Sequence, residues 1–320
     1  MKFPIIYSSQ HKQHAPLFEI YDDVKEEYSE KPARIETIKE KLEQENAGQF
    51  FSPSKFPLDH IKKIHHYAYI DFLKNRSRLL KENEVLYPSY FITDTYIAIT
   101  PGTYDAAVES VNIALTGAQK VLDGEKLVYS LCRPPGHHAE ERSMGGYCFF
   151  NNAAIAANFL TQKGKVALLD IDFHHGNGTQ QIFYERSDVL YVSIHADPKE
   201  KYPYKTGFMD ESGKGAGEGF TVNYPLPLGV TDINYMSVLK DALSKITEFN
   251  PEFIVLSAGF DTYENDPIGG FKLTVPFYEA IGQEIKALNT STLVVQEGGY
   301  AVDALGEMAY NFLKGLSFTS

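Results

Sequence analysis

Cysteine is nearly absent: Cys132 and Cys148 are the only two in 320 residues, too few for a disulfide framework, and each sits beside an apolar segment that suits a buried reduced thiol. A reducing cytoplasm is therefore the expected setting. Met1 to Ser9 holds one lysine and a short apolar stretch, Pro4 to Tyr7, that breaks at Ser8, so no secretory leader is read there. No run reaches the roughly eighteen consecutive apolar residues of a membrane span, so no membrane partner is expected. There is no repeat, low-complexity tract or Pro/Ser linker to divide the chain, and one domain over 1–320 is expected. Basic residues are outnumbered, 30 against 42 acidic, leaving a formal charge of −12. That sign repels nucleic-acid phosphates and points to a neutral or cationic small partner. At 43% hydrophobic and 22% charged, the chain is neither disordered, collagenous nor a small disulfide scaffold.

Short β-branched runs alternate with longer amphipathic stretches, the pattern of a parallel sheet covered by helices on both faces. Buried strands are predicted over Lys126–Leu131, Val166–Ile171, Val189–Ile194, Phe253–Ser257 and Thr292–Gln296. Helices are predicted over Tyr104–Leu122, Asn152–Gln162, Thr179–Glu185, Asp232–Phe249, Pro276–Leu288 and Val302–Leu313. The first hundred residues are less regular: Glu26–Glu45 reads as a charge-rich solvated helix, and Lys81–Thr95 as a loop over one end of the sheet. The glycine-rich run Gly213–Gly219 lacks the GK[ST] and following helix of a phosphate loop and reads as a mobile loop.

Ligands bind beyond the carboxyl ends of parallel strands, and here those ends carry Arg133-Pro-Pro-Gly-His137-His138, Asp170-Ile-Asp172-Phe-His174, Asp261, and Glu297-Gly-Gly-Tyr300. Residues two apart on a strand share a side, so Asp170, Asp172 and His174 form a row. Asp172 and His174, joined by a distant carboxylate such as Asp261, make an oxygen/nitrogen site with a position left open, as catalytic Zn²⁺ requires. His137 and His138, adjacent behind two prolines, suit acid and base roles better than direct ligation. Each needs a partner: Asp170 suits one and the neutral Asn177 the other, and the histidine held by the amide is the one free to act as base. Tyr300, after two glycines, can reach a pocket as an oxyanion donor. Cys148 reads as a buried thiol and not a nucleophile, since no histidine is assigned to activate it.

These runs carry a resemblance. Leu131-Cys-Arg-Pro-Pro-Gly-His-His-Ala139, Gly145-Gly-Tyr-Cys-Phe-Phe-Asn-Asn-Ala153, Leu169-Asp-Ile-Asp-Phe-His-His-Gly-Asn-Gly-Thr-Gln180, Asp261 with Asp266-Pro267, and Glu297-Gly-Gly-Tyr300 resemble the histone deacetylase superfamily in order from about residue 98 onward. More narrowly, Ile182-Phe-Tyr-Glu-Arg186, Gly213-Lys-Gly-Ala-Gly217, Asn223-Tyr-Pro225 and Phe271-Lys-Leu-Thr274 are similar to the bacterial acetylpolyamine amidohydrolases. The resemblance implies an α/β, single-domain arginase/deacetylase-like fold, with a central parallel sheet of about eight strands flanked by helices. It implies one catalytic Zn²⁺ on Asp172, His174 and Asp261, the histidine pair His137 and His138 held by Asp170 and Asn177, and Tyr300 as the oxyanion tyrosine. It further implies structural K⁺ at Asp170, Asp172, His174, Ser193 and Ile194, with a second K⁺ on backbone carbonyls of Phe183, Arg186, Val189 and Phe220. Gly146 matches the glycine along the substrate channel, and Tyr147 and Tyr202 its aromatic walls.

The rim departs from the family pattern. Near Tyr96 the polyamine-specific relatives, and several lysine deacetylases, carry an acidic residue, whereas here Asp94 lies two residues earlier, and the Lys81–Thr95 loop is shorter than the insertion of the polyamine enzymes. Glu19, in a segment resembling their rim loop, keeps a cation-attracting acid. The expected reaction is zinc-dependent hydrolysis of acetylated polyamines such as acetylputrescine, acetylcadaverine or acetylspermidine, the expected partner being a small cationic acetylated amine, with a homodimer left open. The alternatives are an acetyl-lysine peptide deacetylase, a metal-binding protein that has lost catalysis, and a two-metal arginase-like hydrolase. The last two suit the sequence poorly: His137, His138 and Tyr300 are all present, and only Asp170 is spare as a further ligand.

Overall fold

The computed structural model describes residues 3–21 and 23–317. The chain opens with β1 (Pro4–Ile6), a hairpin of β2 (Phe18–Tyr21) and β3 (Val24–Glu27), helix α1 (Ala33–Gln44) and β4 (Gln49–Phe51). Helices α2 (Asp59–Lys62), α3 (Tyr67–Leu79) and α4 (Thr103–Leu122) follow. Strand and helix then alternate, except that β8 follows β7 with no α-helix between: β5 (Leu127–Ser130), α5 (Asn152–Leu160), β6 (Val166–Asp170), α6 (Asn177–Phe183), β7 (Val189–Ala196), β8 (Thr221–Leu226), α7 (Asp232–Phe249), β9 (Phe253–Ala258), α8 (Phe277–Lys286), β10 (Ser291–Gln296) and α9 (Val302–Leu316). Eight strands form one sheet in the order β4-β1-β5-β10-β9-β6-β7-β8, and every pairing in it is parallel.

The period of two along each strand divides the core. Ala167 and Leu169 of β6 and Ile254 and Leu256 of β9 pack with α1, α7, α8 and α9, while Leu168 and Val255 pack with α3, α4 and α5 on the other face. Both faces are therefore apolar, and the five predicted central strands are found with bounds shifted by two residues or fewer. The predicted helix over Asp232–Phe249 has those same bounds. No helix among the described residues is long and apolar enough to cross a membrane. Cys132 and Cys148 are buried and free.

The first hundred residues correct the reading most. The helix expected over Glu26–Glu45 begins only at Ala33, because Val24–Glu27 pairs with Phe18–Tyr21 as an antiparallel hairpin outside the main sheet. Nor is it simply solvated: Arg34, Ile35, Ile38 and Leu42 are buried against the sheet and α9. Strands β1, β4 and β8 escaped the pattern reading, the first two being three residues long. Lys81–Thr95 is a loop, tied by isolated bridges at Leu86–Ile99 and Ile92–Met144. The Gly213–Gly219 run forms no phosphate cradle; Lys214 N–H donates to Tyr184 and Gly219 N–H to Ser212, pinning it beside the end of α6.

Candidate active site

Strands β5, β10, β9 and β6 are consecutive neighbours, so the segments leaving their carboxyl ends converge. Asp170 is the last residue of β6 and pairs with Ser257 of β9 and Ser193 of β7. Two residues on, Asp172 meets His174 and Asp261, the latter just past β9. His174 Nδ1 lies 3.0 Å from Asp261 Oδ2 and 3.4 Å from Asp172 Oδ1, and one donor atom from each of the three falls within 4.8 Å of the others. Backbone groups aim both carboxylates: Phe173 N–H donates to Asp261 at 3.0 Å and Gly298 N–H to Asp172 at 2.8 Å. Glycine is needed behind them, since a Cβ at Gly259 or Gly298 would run into Asp172.

The electrostatics of this group favour a cation. Burial and the charge of Asp172 push Asp261 up to about 7. Burial opposes the charged form of His174, but Asp172 and Asp261 outweigh it and hold the ring up at about 9. Two buried carboxylates sharing one imidazole thus bind a proton where two oxygens and a nitrogen could bind a metal instead, and the donor set fits Zn²⁺ or a similar divalent ion. His137, Cys148 and Glu297 also come within the same distance of one another, but their atoms are committed elsewhere. Glu297 accepts from Gly136 N–H, His137 N–H and Ser257 Oγ, and Cys148 Sγ donates to Gly146.

The two histidines are separated by their partners. His137 Nδ1 lies 3.1 Å from Asp170 Oδ2; burial works against its charge, yet Asp172 and Asp170 prevail and raise it to about 10. His138 Nδ1 lies 2.8 Å from Asn177 Oδ1, and burial with the neighbouring His137 and His174 drives it well below its ordinary value. Asn177 Nδ2 donates to Glu140 at 2.8 Å, which fixes the amide orientation. His137 is thereby the imidazolium of the pair and His138 the neutral ring. The two rings are 4.0 Å apart between centroids.

Tyr300 is buried at the end of the β10 loop, its ring 5.7 Å from that of Tyr147. Its backbone N–H and that of Ala301 both donate to Asp266, at 2.6 and 3.0 Å. Arg34 supports the same turn: it donates to the carbonyls of Glu297 and Gly299, and its guanidinium lies 4.6 Å over the Tyr300 ring. Glu30 accepts from both Arg34 and Arg133, at 2.6 and 2.8 Å, and all three are buried. Sequence reasoning missed Glu30, Arg34 and Glu297. A Glu and Arg four apart in a charge-rich run look like a solvated helix face, and Glu297 stood in the quoted motif with no role attached.

A cavity of about 280 Å³ leads to this centre, lined by His138, His174 and Tyr300 at depth, with Gly146, Tyr147, Tyr96 and Tyr202 on its walls. Tyr202 packs 4.8 Å from His138 and 6.2 Å from Tyr96. Gly146 has φ +51°, and a Cβ there would strike the His138 ring. Glu19 lines the mouth as expected. Asp94 does not: its carboxylate accepts from Gly146 N–H at 2.7 Å, Tyr202 O–H at 3.0 Å and Ile97 N–H at 3.2 Å, so it braces the wall and is not a residue of the rim. The mouth residues Glu26, Ser29, Lys201, Tyr204 and Ile268 went unpredicted, having no motif of their own, and Pro267 stood in a quoted motif with no role attached.

Of the residues expected around K⁺, Asp170, Asp172 and His174 stay together at the end of β6, with Ser193 and Ile194 on the adjacent β7, where Ser193 Oγ lies 2.7 Å from His195 Nδ1. Phe183 closes α6, Arg186 follows in the turn, Val189 opens β7 and Phe220 precedes β8. The carbonyls of Phe183 and Phe220 accept from Arg186 and Tyr191 N–H, leaving a lone pair on each.

The histone deacetylase domain family matches residues 28–316. The chain is 40% identical over 339 residues to acetylpolyamine amidohydrolase 1 of Pseudomonas aeruginosa, covering 97% of each chain. It is 40% identical to the acetylpolyamine amidohydrolase of Mycoplana ramosa, covering 98% of this chain and 99% of that one. Among solved structures, an acetylpolyamine aminohydrolase from Burkholderia pseudomallei superposes with a TM-score of 0.94 at 34% identity, covering 98% of both chains.

Proposed function

The chain belongs to the histone deacetylase family and is a deacetylase hydrolase, and we propose that its substrates are acetylated polyamines. The observation that carries this reading is the cavity itself: a neutral histidine and a buried tyrosine lie at its base beside the O,O,N donor set, and the carboxylate of Glu19 lines its mouth. We read residues 1–320 as one deacetylase domain of the reducing cytoplasm. Asp172, His174 and Asp261 would hold one Zn²⁺, which when bound would supply Lewis-acid polarisation of the acyl carbonyl and acidification of water. Asp170, Asp172, His174, Ser193 and Ile194 would hold a structural K⁺, and the carbonyls of Phe183, Arg186, Val189 and Phe220 a second.

The remaining work falls to side chains. Tyr147 and Tyr202 sandwich the linear methylene chain and exclude water from it. His138 donates Nδ1–H to Asn177, which leaves Nε2 bare to take a proton from the attacking water. As oxygen adds to the acyl carbon, the Tyr300 hydroxyl donates to the developing oxyanion. The carbon–nitrogen bond then breaks, and the histidine pair returns a proton to the departing amine, releasing acetate. His137, held at Nδ1 by Asp170, stands with its ring 4.0 Å from that of His138 and completes the pair.

The test is kcat/KM on acetylputrescine, acetylspermidine and an acetyl-lysine peptide, with metal content measured on the same sample. The amines are expected to lead. A preference of more than about tenfold for the peptide overturns the substrate assignment in favour of a protein deacetylase.

A further inference from the structure

The mouth of the cavity carries both signs of charge. On the Tyr147 side, Glu19 of β2 and Glu26 of β3 stand directly across the hairpin from each other, and both line the cavity. Like charges so placed destabilise a strand pair, and a cation between or beside them relieves the opposition. Glu19 is 6% exposed; its Oε1 accepts from the Ser29 N–H and hydroxyl, and the Tyr147 hydroxyl also interacts with the carboxylate. On the Tyr202 side, Lys201 lines the same cavity, with its ammonium 5.9 Å from the ring of Phe173. Among the described residues Lys201 makes no ion pair.

An ammonium at this position does nothing for a plain polyamine; it repels every further positive charge on the substrate. It would, however, complement a carboxylate. We propose that the site also takes acetylated diamino acids, whose far carbon bears an ammonium for Glu19 and Glu26 and a carboxylate for Lys201. The free amino acid Nε-acetyl-lysine has this chemistry, and an acetyl-lysine within a peptide has neither charge. The reaction is the same hydrolysis: water adds across the acyl–nitrogen bond and acetate and the free diamino acid leave, with no further reactant. The inference rests on the deacetylase reading above.

N-acetylcadaverine differs from Nε-acetyl-L-lysine only by the carboxylate, so the pair isolates the contribution of Lys201. The experiment measures kcat/KM for both in the wild type and in Lys201→Met. Wild-type protein should hydrolyse both, and the variant should lower the acetyl-lysine to acetylcadaverine ratio about tenfold, acetyl-lysine falling and acetylcadaverine rising. An unchanged ratio, or a wild type that cleaves acetylcadaverine and leaves acetyl-lysine intact, overturns the proposal while sparing the deacetylase reading. Failure of the wild type on both compounds and on acetylputrescine overturns that reading and the inference with it.

Discussion

His138 Nδ1 and Asn177 Oδ1 are 2.8 Å apart, and the amide oxygen can only accept. The contact sets the tautomer of His138 without favouring its charge, in contrast to the carboxylate behind His137.

Replacing Asn177 by Asp should reverse that distinction. A carboxylate partner stabilises the imidazolium, so the pKa of His138 rises, and a base is active only when neutral. The acid limb of the kcat/KM profile should move to higher pH and activity at neutral pH should fall. A pH–rate profile with its acid limb unmoved would refute the assignment of His138 as base.

Tyr300→Phe removes one hydroxyl and leaves the ring against Tyr147 and Arg34. Turnover should drop by roughly 10²–10³ while the metal content, measured by elemental analysis, stays at the wild-type level. Full activity in the variant would remove Tyr300 from the mechanism.

Asp261→Asn should weaken metal binding and uncouple the fold from it. A ligand at a hundred times its Kd stabilises by about 2.7 kcal/mol, so a chelator should lower the melting temperature of the wild type clearly and that of the variant little. Equal chelator effects on the two proteins would count against Asp261 as a ligand.

Glu30→Gln tests the buried network. Two guanidinium groups, on Arg34 and Arg133, depend on this carboxylate at 2.6 and 2.8 Å. Loss of one partner from a buried ion pair costs about 3–5 kcal/mol, which a urea unfolding curve would report as a lower midpoint. A midpoint within error of the wild type would show that the network is not stabilising.

Most of the central sheet and of the cavity floor was legible in the sequence, for a physical reason. Parallel strands covered on both faces must be apolar throughout, so Val166–Asp170 and Phe253–Ala258 stand out as runs, and the polar residues that end them are conspicuous. The same logic fails at the periphery. Pro4–Ile6 and Gln49–Phe51 are too short to show a period, and Val24–Glu27 is fully exposed on a hairpin with no apolar face to signal it. Asp94 misled because proximity to Tyr96 in sequence says nothing of direction: its carboxylate turns toward Gly146 and Tyr202. Lys201 and Ile268 reach the mouth from loops whose course only tertiary packing decides.

Arg34 meets the carbonyl of Gly299 across 265 positions of chain. A ribosome makes the guanidinium 265 residues before this acceptor, so for all that interval of synthesis the charge has no such partner. Contacts this remote form late, after the loop between them has been closed at an entropic cost. The turn that presents Tyr300 should therefore be assembled at the end of folding, and the nascent chain should acquire hydrolytic competence in one late step.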